Sequence, residues 1–450
     1  MNSNPSKVLE KARKLCNSHQ FEEACGTYQR YLGLEPSNTA AWVDFGNLLL
    51  DLGRVEEACG ACKQALILDP QHMDACLTLT EGLVKNNDLS QAHVLLSDVI
   101  QRDPGSFRGH QLLRLVLFRQ GDWSGLHSEF ERHIDVHHSS QAAWEKACLN
   151  LQFGIMPLGW DQYESRWDTP GIEHRSKEHV LPQPQWEGEL FSGKTLLLRW
   201  EQGFGDAIMF VRYAPMVKAR GGRVLLEVLE PLVDLMATCP GVDQVVKDGD
   251  PIPPFDLQIS LLSLPRIFQT AMNSIPADIP YLSDPRNVPH REGIDRILDA
   301  TKGYTRVGLV WAGRPRSERF PVRSVSPAQL KPLAALPGVA WHSFQVEPGG
   351  EQPFPGIIPM GPVVRGSFSD TAHALLGMDL VITVDTALAH LAGALGIPTF
   401  LLAHTFADWR WLMGREDSPW YPTMRIYRQP EPGDWASVIE RVVADLSSCG

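Results

Sequence analysis

Three short stretches carry residue types that can handle protons and phosphates. The first is Gln202-Gly203-Phe204-Gly205-Asp206, which follows an apolar run and opens a helical pattern. Its glycines allow a tight turn and close approach of backbone to a neighbour. Asp206 at the helix start is either an N-cap, typically worth ~1 kcal/mol, or a carboxylate placed to take a proton. Glu201 is a second carboxylate for the same task. The next stretch, Asp385-Thr386-Ala387-Leu388-Ala389-His390, also runs from an apolar segment into a helical one. Helix N-termini offer N–H groups to anions, Asp385 and Thr386 can accept and donate, and His390 lies one turn after Thr386. The plainer reading of His390 is a buried, satisfied ring.

A loop from Gly313 to Ser324 makes the third stretch and holds Arg314, Arg316, Arg319 and Arg323. A diphosphate leaving without a metal needs cationic donors of this kind; the plainer reading is a solvated basic loop. Gln345 ends another apolar run beside the expected ligand. Asp370 and Thr371 begin a helical pattern, where capping competes with binding. The aromatic stretch Asp408-Trp409-Arg410-Trp411 either shapes an acceptor site or packs between domains. Asp248-Gly249-Asp250 has the look of a metal-binding DxD but precedes Pro251, which reads as a surface turn. No metal is expected. The pair Cys59 and Cys62 lies in mid-helix without a second pair, so neither metal nor redox chemistry is expected there.

The elements that position these residues follow from periodicity. From Lys194 onward, short apolar runs alternate with helical stretches, as in βαβ units. Strands are expected at 194–200, 223–228, 244–246 and 255–260, then at 306–312, 339–346, 380–385, 399–404 and 424–427. A helix is expected from about 207 to 220, and a last one over about 435 to 446. Two such series predict two Rossmann-like domains, with ligands beyond the carboxyl ends of the strands. The loops after 200, 312, 346, 385 and 404 then line one cleft.

Upstream the texture is repetitive. Residues 39–72 carry Trp42, Phe45, Gly46, Leu49, Gly53, Ala58, Ala65 and Pro70, the offsets of a tetratricopeptide repeat of about 34 residues. Residues 5–38 and 73–106 repeat the pattern, a looser copy starts near Phe107, and a degenerate fifth pair runs from Ala142 to about Trp167. Hairpins of this type bury their apolar faces only by stacking, which predicts an all-α solenoid. Asp161, Glu164, Arg166 and Trp167 sit on a short amphipathic helix and read as structural. The domains are then a repeat domain at 1–168, a connector at 169–192, and Rossmann-like domains at 193–290 and 291–450.

Bulk properties narrow the function. The chain has 450 residues and a net charge of −12, which argues against general nucleic-acid binding. Neither a signal peptide nor a membrane span is visible, so a cytoplasmic protein with free thiols is expected.

Four blocks then carry a resemblance: LLLRWEQGFGDAIMFVRYAP, RVGLVWAG, MDLVITVDTALAHLAGALGIPTFLLAH and DWRWLMGREDSPWYPTMRIYRQ. In this order, over about Trp144 to the end, they resemble the tetratricopeptide-linked branch of the heptosyltransferase-like glycosyltransferases, glycosyltransferase family nine. The resemblance implies a GT-B fold with an acceptor-side first domain and a second domain that holds a nucleotide-sugar donor. It implies metal-independent, inverting transfer of a hexosyl or heptosyl type, with Asp206 as base and Glu201 in reserve. Donor binding would fall to Gly203, Gly205, Arg314, Arg323, Ser324, Gln345, Asp385, Thr386 and His390. The family's Asn-Pro start and Asn-Asp-Arg stretch read here as Arg314-Pro315 and Arg319-Phe320-Pro321, so Arg323 and Ser324 carry over best. The layout is similar to that of repeat-bearing O-linked N-acetylglucosamine transferase and of some flagellin glycosyltransferases. It implies a protein acceptor, flagellin-like or other, on the concave face of the solenoid. The alternatives are a repeat scaffold with an inactive transferase-like domain, and a transferase acting on a lipid-linked or free glycan.

Overall fold

The computed structural model describes residues 4–18, 20–169, 181–313, 323–346, 352–364, 366–405 and 407–448. The chain divides into two compact units, Met1–Ala143 and Trp144–Gly450.

The first unit is a run of antiparallel helices: α1 (Pro5–Asn17), α2 (Phe21–Leu34), α3 (Thr39–Asp51), α4 (Val55–Leu68), α5 (Met73–Lys85), α6 (Leu89–Arg102), α7 (Phe107–Gln120) and α8 (Trp123–His137). Short polar side chains start several of them: Asn38 accepts from Ala41 N, Asp88 from Gln91 N and Asp122 from Gly125 N. The turns inside the second, third and fourth hairpins carry a left-handed residue. Gly53, Asn87 and Gly121 supply it at equivalent repeat positions, with φ of +72°, +59° and +71°. Packing is close both within a hairpin and between neighbouring ones. A Cβ on Gly46 would meet Cys62 Sγ at 2.7 Å, and one on Gly82 would meet Cys59 Sγ at 2.5 Å. The two cysteines therefore fill the hollows left by glycines, and burial pushes the Cys62 thiol up to about 12. The fourth hairpin departs from an apolar core: His110 pairs with Glu129 and Arg114 with His133, all four buried between α7 and α8.

The second unit opens with a helical pair, α9 (Ser140–Gln152, which starts just before the division) and α10 (Met156–Tyr163), followed by a 3-10 turn, Glu164–Asp168. The division between units thus falls inside the first turn of the fifth pair, after Ala143, and nearly all of that pair belongs to the second unit. The reason is burial: Trp160, Tyr163 and Arg166 lie in the interior of the second unit.

Two wholly parallel sheets follow. The first has order β3-β2-β1-β4, from β1 (Thr195–Arg199), β2 (Arg223–Val228), β3 (Gln244–Lys247) and β4 (Leu257–Ser260). The second has order β10-β9-β8-β5-β6-β7, from β5 (Thr305–Val310), β6 (Val339–Ser343), β7 (Ile358–Pro359), β8 (Leu380–Val384), β9 (Thr399–Ala403) and β10 (Met424–Arg428). Near-continuous apolar runs suit strands covered on both faces. The two-residue β7 was not expected; it is too short for a period to show.

The helix after β1 is also shorter than expected. It spans Phe204–Phe210, passes through a 3-10 turn and resumes at Ala214–Lys218. Pro215 explains the break, since it has no N–H for the carbonyl of Val211. That carbonyl accepts instead from Ala214 N, in the 3-10 turn, and also from Cys239 Sγ at 3.5 Å. One hydrophobic core runs through both sheets, from Leu196 and Leu198 to Leu401 and Ile426.

Candidate functional site

Asp206 occupies the third position of the helix Phe204–Phe210, where it faces back to its start. One carboxylate oxygen accepts from Gly203 N at 3.0 Å. The other pairs with Arg410, which arrives from the turn Trp409–Trp411 after β9. A residue beyond β1 of the first sheet is therefore bound to one beyond β9 of the second, inside one compact unit. Arg410 is 7% exposed. Its Nη1 donates to Asp408 Oδ1 at 2.7 Å, and its guanidinium lies 4.1 Å from the centre of the Trp409 ring. Burial opposes its charge, but Asp206 and Asp408 outweigh burial and hold it protonated well above the ordinary arginine value.

Charge continues from there into the second sheet's loops. His404, just past β9, is lowered to about 4, first by burial and then by Arg428; the charges of Asp408 and Arg323 also bear on it. It is neutral near pH 7. Arg323 Nη1 stands 3.9 Å from Asp385 Oδ2, at the end of β8. Thr386 starts the helix Ala387–Ala394 without a side-chain cap bond, and its hydroxyl lies 3.3 Å from that of Thr383. Ser324 Oγ accepts from Gly313 N at 3.3 Å and closes the base of the arginine loop. Residues 314–322 of that loop, Arg314 among them, lie outside the described residues. Asp206, Arg410, Asp408, His404, Arg323 and Asp385 thus form one electrostatic neighbourhood beyond the carboxyl ends of strands from both sheets.

Other expected site residues are placed where packing uses them. Glu201 is enclosed, and both its oxygens are held by Arg166, at 2.7 and 2.9 Å. Arg166 also donates to Glu164 at 2.7 Å and to Ser263 at 2.8 Å, and Ser260 donates to Glu201. A carboxylate so committed ties the helical pair to the first sheet, and the reserve-base reading of Glu201 gives way. His390 is buried; it hydrogen-bonds Tyr421 at 2.9 Å and stacks on Trp411. Burial first, and then Arg410, lower it to about 3. It is a neutral packing ring, so its donor-binding reading gives way as well.

Gly203 has φ of −73° and Gly205 is absent from the positive-φ residues, so neither serves a left-handed turn. A Cβ on Gly205 would meet His390 Cδ2 at 2.8 Å; the glycine lets two helices cross. Gln345 spends its amide on Trp311 N, Ala312 N and Ala312 O, at 3.0–3.1 Å, and pins the end of β5. Asp370 accepts from His290 N at 2.8 Å, while Ser367 caps its helix. Asp248-Gly249-Asp250 forms a turn after β3, with Gly249 at φ +88°. Among the described residues no group of three or more His, Cys, Asp and Glu is arranged to hold a metal ion, and no helix is long and apolar enough to cross a membrane.

The sequence alone did not mark Arg410 or His404 as donor-side residues. The signal was present: each follows β9 at its carboxyl end, and an arginine inside an aromatic stretch is unusual company. Arg212 was also missed. It is fully enclosed and donates to Met209 O, Trp420 O and Tyr281 Oη at 2.6–2.9 Å, which joins the helix after β1 to the far end of the unit.

The fold and site define a tetratricopeptide-repeat protein that carries a unit of parallel sheets. Residues 9–147 match the middle TPR-like domain of cilia and flagella-associated protein 70. Protein FlbA of Caulobacter vibrioides is 30% identical over 332 residues, which cover 67% of this chain and 54% of that protein. The chain thus spans about half the length of the curated relative it matches. Among solved structures it is similar to MamA, at 17% identity over 35% of this chain and 92% of that one with a TM-score of 0.33. It is also similar to a thermophilic TPR protein of Thermus thermophilus, at 18% identity over 37% and 92% with a TM-score of 0.32. The assignment of the repeats rests on the match at 9–147 and the period of about 34 residues.

Proposed function

We propose that the protein is a metal-independent, inverting glycosyltransferase of GT-B type, which moves a sugar from a nucleotide-sugar donor to a protein held by the repeats. The carrying observation is the pairing of Asp206, from the first sheet, with Arg410 of the second, beyond parallel strand ends where Arg323 also stands 3.9 Å from Asp385. Sites at that end of α/β sheets are where ligands bind. In this reading Asp206 takes the proton of the acceptor hydroxyl as that oxygen bonds to the anomeric carbon. The bond from the anomeric carbon to the phosphate oxygen breaks, and its electron pair leaves with the nucleoside diphosphate. Arg323, and Arg314 from the loop, offset the charge that develops there. Repeats of this type bind protein partners on a concave face, which supports a protein acceptor.

The test is intact-protein mass spectrometry of the source proteome with and without the gene. One protein should lose a sugar mass when the gene is deleted. The wild-type gene should restore it and Asp206→Ala should not. Full restoration by Asp206→Ala overturns the base assignment. No mass change on any protein favours the scaffold reading, which the Asp206–Arg410 ion pair also suits because it occupies the carboxylate.

A further inference from the structure

Arg410 poses a problem that the transferase reading does not solve. A carboxylate oxygen occupied by an arginine is not free to accept a proton from a substrate hydroxyl. Yet Arg410 is not placed for salt-bridging alone. It is shared by two carboxylates, Asp206 and Asp408, and stacked on Trp409. Among the described residues its Nε has no hydrogen-bond partner, although the side chain is more than nine-tenths buried. A buried guanidinium donor without a partner is costly unless something else uses it. Asp408, which holds Arg410, and Arg323, which stands 3.9 Å from Asp385, both act on the neutral ring of His404, so Arg410 adjoins the place where the proposed diphosphate would lie.

We infer that Arg410 is a diphosphate-binding residue that exchanges partners: it is held by Asp206 in this structure, and the donor's diphosphate competes with Asp206 for the same guanidinium. The inference rests on the transferase reading of the site. A diphosphate offers denser charge and more acceptor oxygens than one carboxylate, and guanidinium pairs well with it. Exchange does two things at once. It brings a buried cation to the leaving group, and it frees one oxygen of Asp206 while Gly203 N still fixes the other. The base would then become competent only after the donor is seated. Asp408, which also accepts from Arg410 N at 3.1 Å, keeps the arginine anchored through the exchange.

The competition makes a test that a merely structural ion pair would fail. The whole chain is titrated calorimetrically with UDP, GDP, ADP and CDP, and the nucleotide that binds is carried forward. Asp206→Asn removes the rival charge but keeps an acceptor for Gly203 N. It should tighten nucleoside diphosphate binding by about tenfold, as loss of a close competing charge predicts. Asp206→Ser is the second variant if the first folds poorly. Arg410→Gln should weaken binding by about tenfold or more, and in that background Asp206→Asn should no longer tighten it. Unchanged or weaker binding by folded Asp206→Asn, with the wild type still binding, overturns the exchange and leaves the transferase reading standing. If none of the four nucleotides binds the wild type, the transferase reading falls and takes the exchange with it.

Discussion

His390 and His404 are held neutral in the fold, at about 3 and about 4, against an ordinary value of 6.5, chiefly by burial. An unfolded chain therefore binds protons at these rings that the folded chain refuses. Stability from this source is complete above about pH 6.5 and is lost as pH falls from there toward the folded values. For the buried His390 the slope is about 1 kcal/mol per pH unit. Urea unfolding at pH 7.0, 6.0 and 5.0 should show that decline, and His390→Gln should flatten it while lowering stability at pH 7 through the lost Tyr421 contact. A slope identical in the two proteins would mean that the ring is protonated in the fold. At this scale the sequence conveyed residue types well and residue roles poorly. Asp206, Asp385 and Thr386 stand at strand or helix ends because local pattern places them there. Glu201 looks equally chemical in the sequence, but its burial depends on Arg166, which is distant in the chain.

Elements were the most legible layer. The expected strands fell within a residue or two of their apolar runs, except that β6 stops early at Ser343, where Gln345 turns its amide onto the residues after the neighbouring strand. The helix interruption at Pro215 was missed although its signal was present, since a proline leaves the carbonyl four residues earlier without its helical donor and the chain tightens into a 3-10 turn there. In the repeats the small residues read as permissive spacers, whereas the structure makes them halves of pairs. Gly46 faces Cys62 and Gly82 faces Cys59. Gly46→Ala should therefore cost about 1–3 kcal/mol despite the better helix propensity of alanine, because a buried thiol must shift. Cys62→Ala makes room for the added methyl, so the double variant should recover part of that loss. A double-mutant cycle by thermal or chemical unfolding measures it, and strict additivity would show that the hollow is not shared.

At the scale of the molecule the least legible feature is where the repeats end. By periodicity the fifth helical pair belongs with the other four, because it keeps an amphipathic pattern and lies before the Pro-rich connector. By burial it belongs with the sheets. Trp160 packs edge-on against Phe210, Trp409 and Trp420, at 5.3–6.2 Å between ring centres. Gln152 Nε2 donates to Ala407 O at 3.0 Å, and its own carbonyl accepts from Met413 N at 3.0 Å. Arg166 reaches the other sheet through Glu201. The pair thus holds the loops after β1 and β9, the two that carry Asp206 and Arg410, and a period has no means of reporting such contacts. A fragment beginning at residue 140 should fold and unfold cooperatively, since the core of the second unit is complete within it. A fragment beginning at residue 169 loses Trp160, Tyr163 and Arg166 together. Removing one large buried aromatic side chain alone typically costs about 3–5 kcal/mol, and Glu201 would be left as a buried charge without its partner, a further loss of about 3–5 kcal/mol. Those losses reach the whole stability of an ordinary domain, so the shorter fragment should lack a cooperative transition and be digested rapidly in limited proteolysis. If it melts like the longer one, the helical pair is an appendage of the repeats after all, and the geometry of Asp206 and Arg410 is set without it.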